Sequence, residues 1–190
     1  SQCLLKETSE SFFVLNSINV LLNPKSQFAG HVFLIEDDKK LRASLAEILS
    51  FVGYCVYEYG EPQEFLDIQI VVSPAVVVTD VRLPNMSGVE LQNLLNQRER
   101  KLPFVFISGE STIAQAVEAT AAGAIEFLIK PFSRESLINA VAKAITIDTQ
   151  QLFSLEKKLE FEKKMTLLSP RERQVFGLLC KGYNNAELVE

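Results

Sequence analysis

From His31 onward, short apolar runs alternate with stretches in which Leu, Ile, Val or Ala recur every three or four positions among polar residues. A short run of β-branched and aromatic residues suits a strand buried on both faces, whereas the three-and-four spacing draws one apolar stripe along a helix. Val32–Ile35, Cys55–Tyr59, Ala75–Thr79, Phe104–Ile107 and Ile125–Ile129 are the predicted strands. Lys39–Phe51, Pro62–Ile68, Gly88–Arg98, Thr112–Ala122 and Arg134–Ile145 are the predicted helices between and after them. Such alternation predicts parallel strands joined by crossover helices, an α/β doubly wound sheet. Ser111 and Ser133 stand where helix N-caps belong, and Gly53 and Gly123 punctuate helix ends just before the next strand.

After Ile145 the pattern changes. Asp148–Lys164 is rich in Glu and Lys, with Leu152, Leu155 and Leu159 at helical spacing, which predicts a linker helix. Three apolar positions are too few heptads for a coiled-coil seam. Ser169 then offers an N-cap, Pro170 a first helical residue and Glu172 the acid of a capping box, ahead of an amphipathic Arg171–Cys180. Lys181-Gly182 stops that helix, and Asn184 can cap one more. The expected organisation is an N-terminal extension over 1–30, an α/β domain over 31–146, a linker helix over 147–166 and a partial helical domain over 167–190.

The extension carries an apolar run, Phe12–Leu22, that is broken by Asn16, Ser17 and Asn19 and is too short to span a bilayer. Glu7 and Glu10 occupy the place of the cationic region of a signal peptide, so a short helix or a poorly ordered extension is expected. A formal charge of −5 argues against a protein that coats nucleic acid or an anionic membrane. Cys3, Cys55 and Cys180 are odd in number, scattered and without metal-ligand spacing, which fits a reducing, cytoplasmic setting better than a disulfide framework or a zinc site.

The chemistry lies at the strand ends. In a doubly wound sheet, ligands bind beyond the carboxyl ends of the strands, so residues following each apolar run should converge. They are Glu36, Asp37 and Asp38 after the first run, Asp80 after the third, Ser108 after the fourth, and Lys130-Pro131 after the fifth. Like charges about 5 Å apart repel by roughly 3 kcal/mol at an effective dielectric near 20, so clustered carboxylates call for a cation. An all-oxygen set without His or Cys selects Mg²⁺, which takes one or two carboxylates and a phosphate oxygen. A carboxylate left beside that charge, with a lysine and a hydroxyl near it, is equipped as a nucleophile for phosphoryl transfer.

The text VFLIEDD at 32–38, VVVTDVRLPNMSGVEL at 76–91, FVFISGE at 104–110 and AGAIEFLIKPF at 122–132 resembles the receiver domain of two-component response regulators. The resemblance implies a five-stranded, flavodoxin-like (CheY-like) sheet in the order 2-1-3-4-5. It implies Asp80 as phosphoacceptor, Asp37 as a direct Mg²⁺ ligand, Glu36 as an acidic partner through water, and the main-chain carbonyl of Arg82 as a further ligand. Ser108 is similar to the switch hydroxyl, Phe127 to the switch aromatic and Lys130 to the phosphate-contacting lysine, with a cis peptide before Pro131. Glu36-Asp37 stands where the family more often has Asp-Asp, which leaves the roles of Glu36 and Asp38 to be divided.

Beyond it, LLSPRERQVFGLLCKGYNNAELVE at 167–190 resembles the opening of a LuxR-type helix-turn-helix domain without its recognition helix. No DNA-binding residue is therefore assigned in this chain, and Arg171, Arg173 and Lys181 are expected to be solvated. The implied role is a signalling switch rather than an enzyme. A histidine kinase or phosphotransfer protein is the expected donor. Homodimerisation on phosphorylation, through the predicted helix 112–122, the fifth strand and the predicted helix 134–145, is the expected output step. DNA is a partner only of a full-length form, and no membrane is involved.

Overall fold

The computed structural model describes residues 28–180 apart from 69, 71, 99, 110–119, 121 and 122. Apart from Thr120, the predicted helix 112–122 lies outside the described residues, as do its Ser111 cap, the Phe12–Leu22 run and the turn at 181–184. Contacts divide the chain into two compact units, Ser1–Leu152 and Phe153–Glu190.

The first unit holds five strands: β1 (His31–Ile35), β2 (Cys55–Tyr59), β3 (Ala75–Asp80), β4 (Phe104–Ser108) and β5 (Glu126–Ile129). They pair in parallel in the order β2-β1-β3-β4-β5, the doubly wound topology expected from the alternation. Side chains alternate across a strand, so each strand feeds two cores. On one face, Val32, Leu34, Val76, Val78, Val105 and Ile107 meet Leu45, Ala46 and Leu49 of α1 (Lys39–Phe51). Leu137, Ala140, Val141, Ala144 and Ile145 of α4 (Arg134–Leu167) join that cluster. On the other face, Phe33, Ile35, Val77, Phe104 and Phe106 meet Phe65 of α2 (Pro62–Leu66) and Val89, Leu91 and Leu95 of α3 (Gly88–Asn96).

Local signals account for the element ends. Asp38 caps α1 by accepting from the N–H groups of Lys40 and Leu41 at 2.8 and 3.1 Å. Ser87 and Glu90 form a reciprocal capping box on α3, and Ser133 Oγ accepts from Ser136 N at 3.0 Å at the start of α4. Gly53 and Gly123 adopt φ of 97° and 92°, a left-handed conformation that costs a residue with a Cβ.

Several boundaries move. Strand β1 begins at His31, β5 begins at Glu126, and α2 and α3 stop at Leu66 and Asn96. The larger correction concerns α4: the predicted helix 134–145 and the predicted linker helix are one helix of 34 residues. Its buried positions, Leu137, Ala140, Val141, Ala144, Ile145, Asp148 and Leu152, form one continuous stripe. Asp148, the first residue of the charged stretch, thus sits on the core-facing side of the helix.

In the second unit, α5 (Pro170–Cys180) starts at the expected capping box, with Ser169 N donating to Glu172 Oε2 at 2.8 Å. The rings of Phe161 and Phe176 lie 6.0 Å apart within this unit. No helix of the described residues is long and apolar enough to cross a membrane.

Candidate functional site

Parallel register brings the carboxyl ends of four strands to one edge. Ile35 is level with Thr79, Asp80 with Ile107, and Ser108 with Ile129, so Glu36, Asp80, Ser108 and Lys130 emerge at neighbouring points. The Lys130 N–H donates to the Ser108 carbonyl at 2.7 Å, fixing where the lysine leaves the sheet. The Lys130-Pro131 peptide is cis.

The lysine ammonium joins two carboxylates from different strands. Lys130 Nζ lies 2.6 Å from Asp80 Oδ2 and 2.9 Å from Glu36 Oε2. Asp80 is 8% exposed and Glu36 2%, so neither carboxylate is well solvated and the shared cation offsets their repulsion. Asp80 Oδ1 accepts from Arg82 N at 2.8 Å, so each oxygen of the Asp80 carboxylate already holds a donor. Burial pushes the Glu36 carboxyl above its usual range, with Asp80 adding to the rise and Lys130 opposing it. Burial pulls the Lys130 ammonium down, but its bonds to Asp80 and Glu36 prevail and hold it above its ordinary value.

The loop after β3 is closed tightly around Asp80. Val81 N donates to Ile107 O and Gly88 N to Val81 O, both at 2.9 Å, and Thr79 Oγ1 donates to the Asp80 carbonyl at 3.0 Å. A Cβ on Gly88 would overlap that same carbonyl oxygen and crowd the Phe106 ring, so the start of α3 can approach Asp80 only with glycine there.

The acidic triplet is divided by role. Glu36 turns inward to Lys130, Asp38 is used as the α1 cap, and Asp37 is exposed. Of the carboxylates expected at this edge, Glu36 and Asp80 are the two that the Lys130 ammonium bridges. Among the described residues no three His, Cys, Asp or Glu side chains form a ready-made metal cluster. The donor set still fits Mg²⁺, a hard ion usually held by one or two carboxylates and a phosphate oxygen. Ser108 is fully buried and its hydroxyl has no partner among the described residues. Phe127 is half-buried, its ring 6.3 Å from that of Phe106.

Residues 32–142 match the family model of the response regulator receiver domain. The chain belongs to this family. Among curated relatives, the response regulator protein TodT of Pseudomonas putida is 31% identical over 166 residues, spanning 87% of this chain and 73% of TodT. The transcriptional regulatory protein FixJ of Bradyrhizobium diazoefficiens is 34% identical over 156 residues, 82% of this chain and 76% of FixJ. Of solved structures, full-length FixJ from B. japonicum superposes with a TM-score of 0.62 at 33% identity, covering 85% of this chain and 79% of that one. The response regulator StyR gives 0.73 at 32% identity, covering 83% and 80%. As a receiver-domain protein, the chain is a two-component response regulator, and its relatives include transcriptional regulators.

A buried carboxylate of the receiver and its half-buried arginine partner escaped the sequence reading. Asp148 accepts from Arg100 and from Ala75 N, each at 2.7 Å, at the opposite end of the sheet from Asp80. Their signal was in the periodicity: Asp148 falls three residues after Ile145 on the α4 stripe. The cis Ser73-Pro74 peptide beside them has no comparable local signature.

Proposed function

We propose that Asp80 accepts a phosphoryl group from the phosphohistidine of a partner kinase or phosphotransfer protein, and that this acylphosphate is the switch of a transcriptional response. The observation that carries the reading is the ion pairing of one lysine with a buried Asp80 and its neighbour Glu36. In the transfer, an Asp80 oxygen forms a bond to phosphorus as the phosphorus–nitrogen bond breaks, and the imidazole leaves with that electron pair. Lys130, freed from its present bond to Asp80 Oδ2, neutralises the new phosphoryl oxygens. Asp37, Asp80 and the Arg82 carbonyl would hold Mg²⁺, with Glu36 acting through water. When bound, the ion supplies the positive charge that draws acceptor and donor phosphate together.

The switch itself follows from Ser108 and Phe127. A buried hydroxyl without a partner among the described residues gains a hydrogen bond by turning to the phosphoryl group, and the half-buried Phe127 can take up the space it leaves. Moving such a two-state element from mostly off to mostly on needs about 5.5 kcal/mol of differential stabilisation. Its output is dimerisation through predicted helix 112–122, β5 and the receiver part of α4. Equal sedimentation with and without a phosphoryl analogue would remove this step from the proposal.

Residues 167–190 are assigned as the opening of a LuxR-type helix-turn-helix, on the strength of the Ser169–Glu172 capping box and the family's transcriptional relatives. DNA is then a partner of a form that carries the recognition helix, and the setting is cytoplasmic. The whole reading is tested by incubating the chain with a small phosphodonor and Mg²⁺. One acid-stable, alkali-labile phosphoryl group per chain would count against it; one group labile as an acylphosphate and missing in Asp80→Asn is expected.

A further inference from the structure

We infer that Asp148 and Arg100 form an anchor that fastens α4 to the strand carrying the phosphoacceptor, so that displacement of the helix is referred to a fixed point on β3. The strand β3 runs from Ala75 to Asp80 with all its residues buried. Its last residue is the acceptor carboxylate. Its first residue donates its N–H to Asp148 Oδ2 at 2.7 Å.

The bond is reinforced from a third segment. Arg100, in the loop before β4, donates to Asp148 Oδ2 at 2.7 Å and to the Val72 carbonyl at 2.6 Å. One guanidinium thereby ties the approach to β3, the approach to β4 and helix α4 together. Asp148 is 1% exposed, deeper than a charge that merely decorates a linker would be. Burial pushes its carboxyl up, and Arg100 and the Ala75 N–H offset part of that rise.

Chemistry explains why an acid stands on an apolar stripe. A leucine there would fill the space, but it could not accept the Ala75 N–H or neutralise Arg100, and it would leave the helix free to slip by rotation. A charged, doubly bonded carboxylate has one acceptable position, so it fixes register where apolar packing alone tolerates repacking. Leu152, one turn further, is the last residue of the buried stripe.

The test is local hydrogen exchange on the full chain, comparing wild type with Asp148→Ala and Arg100→Gln. The amides of residues 149–152 in both variants, and that of Ala75 in Asp148→Ala, should exchange about tenfold faster, while those of Val77, Val78 and Val105–Ile107 stay within about twofold of wild type. Unchanged rates at 149–152, or an equal acceleration everywhere, would overturn the anchor and leave an ordinary structural ion pair. If Asp148→Ala does not fold, Arg100→Gln carries the test, because it leaves the Asp148–Ala75 bond in place. A second arm rests on Asp80 being the acceptor. Phosphorylation should alter exchange at 149–152 in wild type, and the variants should take up the phosphoryl group but lose that response. Wild type that takes up no phosphoryl group would sink the proposed function while the first arm still decides the anchor.

Discussion

Lys130 and Asp80 approach to 2.6 Å across the carboxyl edge of the sheet, and the same ammonium reaches Glu36 at 2.9 Å. Removing it leaves two buried carboxylates facing each other. Lys130→Ala is expected to lower stability at pH 7 by about 2 kcal/mol, the scale of a lost charged hydrogen bond with its partner left buried. The sign with pH is set by the raised Lys130 value, which lies above the ordinary 10.5. Its contribution is complete at neutral pH and is lost only as pH rises through that higher value. Urea denaturation of both proteins at pH 7 checks this, and coincident curves would show that the pair contributes nothing.

Gly88 presents a case in which two effects have opposite signs. Helix propensity alone makes Gly88→Ala neutral or stabilising by up to about 1 kcal/mol. Overlap of the new methyl with the Asp80 carbonyl oxygen predicts the reverse, a loss of about 1–3 kcal/mol, and under the proposed function slower phosphoryl uptake as Asp80 is displaced. Thermal unfolding and uptake rate, measured on the same preparation, separate the two.

His31 is the single histidine of the chain and a clean titration probe. Burial, then the charge of Arg100, holds its imidazole below the ordinary 6.5, while Tyr57 Oη lies 3.2 Å from Nδ1. A lowered folded value means that the unfolded chain takes up the proton first as pH falls. His31 therefore contributes its full stability above pH 6.5 and loses it as pH drops from there toward the folded value. NMR of the imidazole should show a midpoint below 6.5 that moves upward in Arg100→Gln; a midpoint at or above 6.5 in wild type contradicts the burial argument.

Much of the fold was legible because the strands are buried on both faces. Ala75–Asp80 is buried at every position, which in the sequence is an apolar Ala75–Val78 run leading through Thr79 to one carboxylate. The neighbourhood of Asp80, Ser108 and Lys130 followed from strand ends alone, since parallel register carries those ends to one edge. The division of Glu36, Asp37 and Asp38 was not legible, because one of three adjacent acids can cap a helix and only the start of α1 decides which. Asp148 was missed for a related reason: it opens the charged stretch read as a linker helix, while its place on the α4 stripe and a partner 48 residues away put it inside.

The account stands or falls on where the phosphoryl group goes. Borohydride reduction of the phosphorylated chain converts an acylphosphate-bearing aspartate to homoserine, which peptide mass spectrometry locates. Homoserine at position 80, absent in Asp80→Asn and strongly reduced in Lys130→Ala, is the predicted result. Phosphoryl transfer to any other side chain, or none to the wild-type chain with a small phosphodonor and Mg²⁺ present, contradicts it.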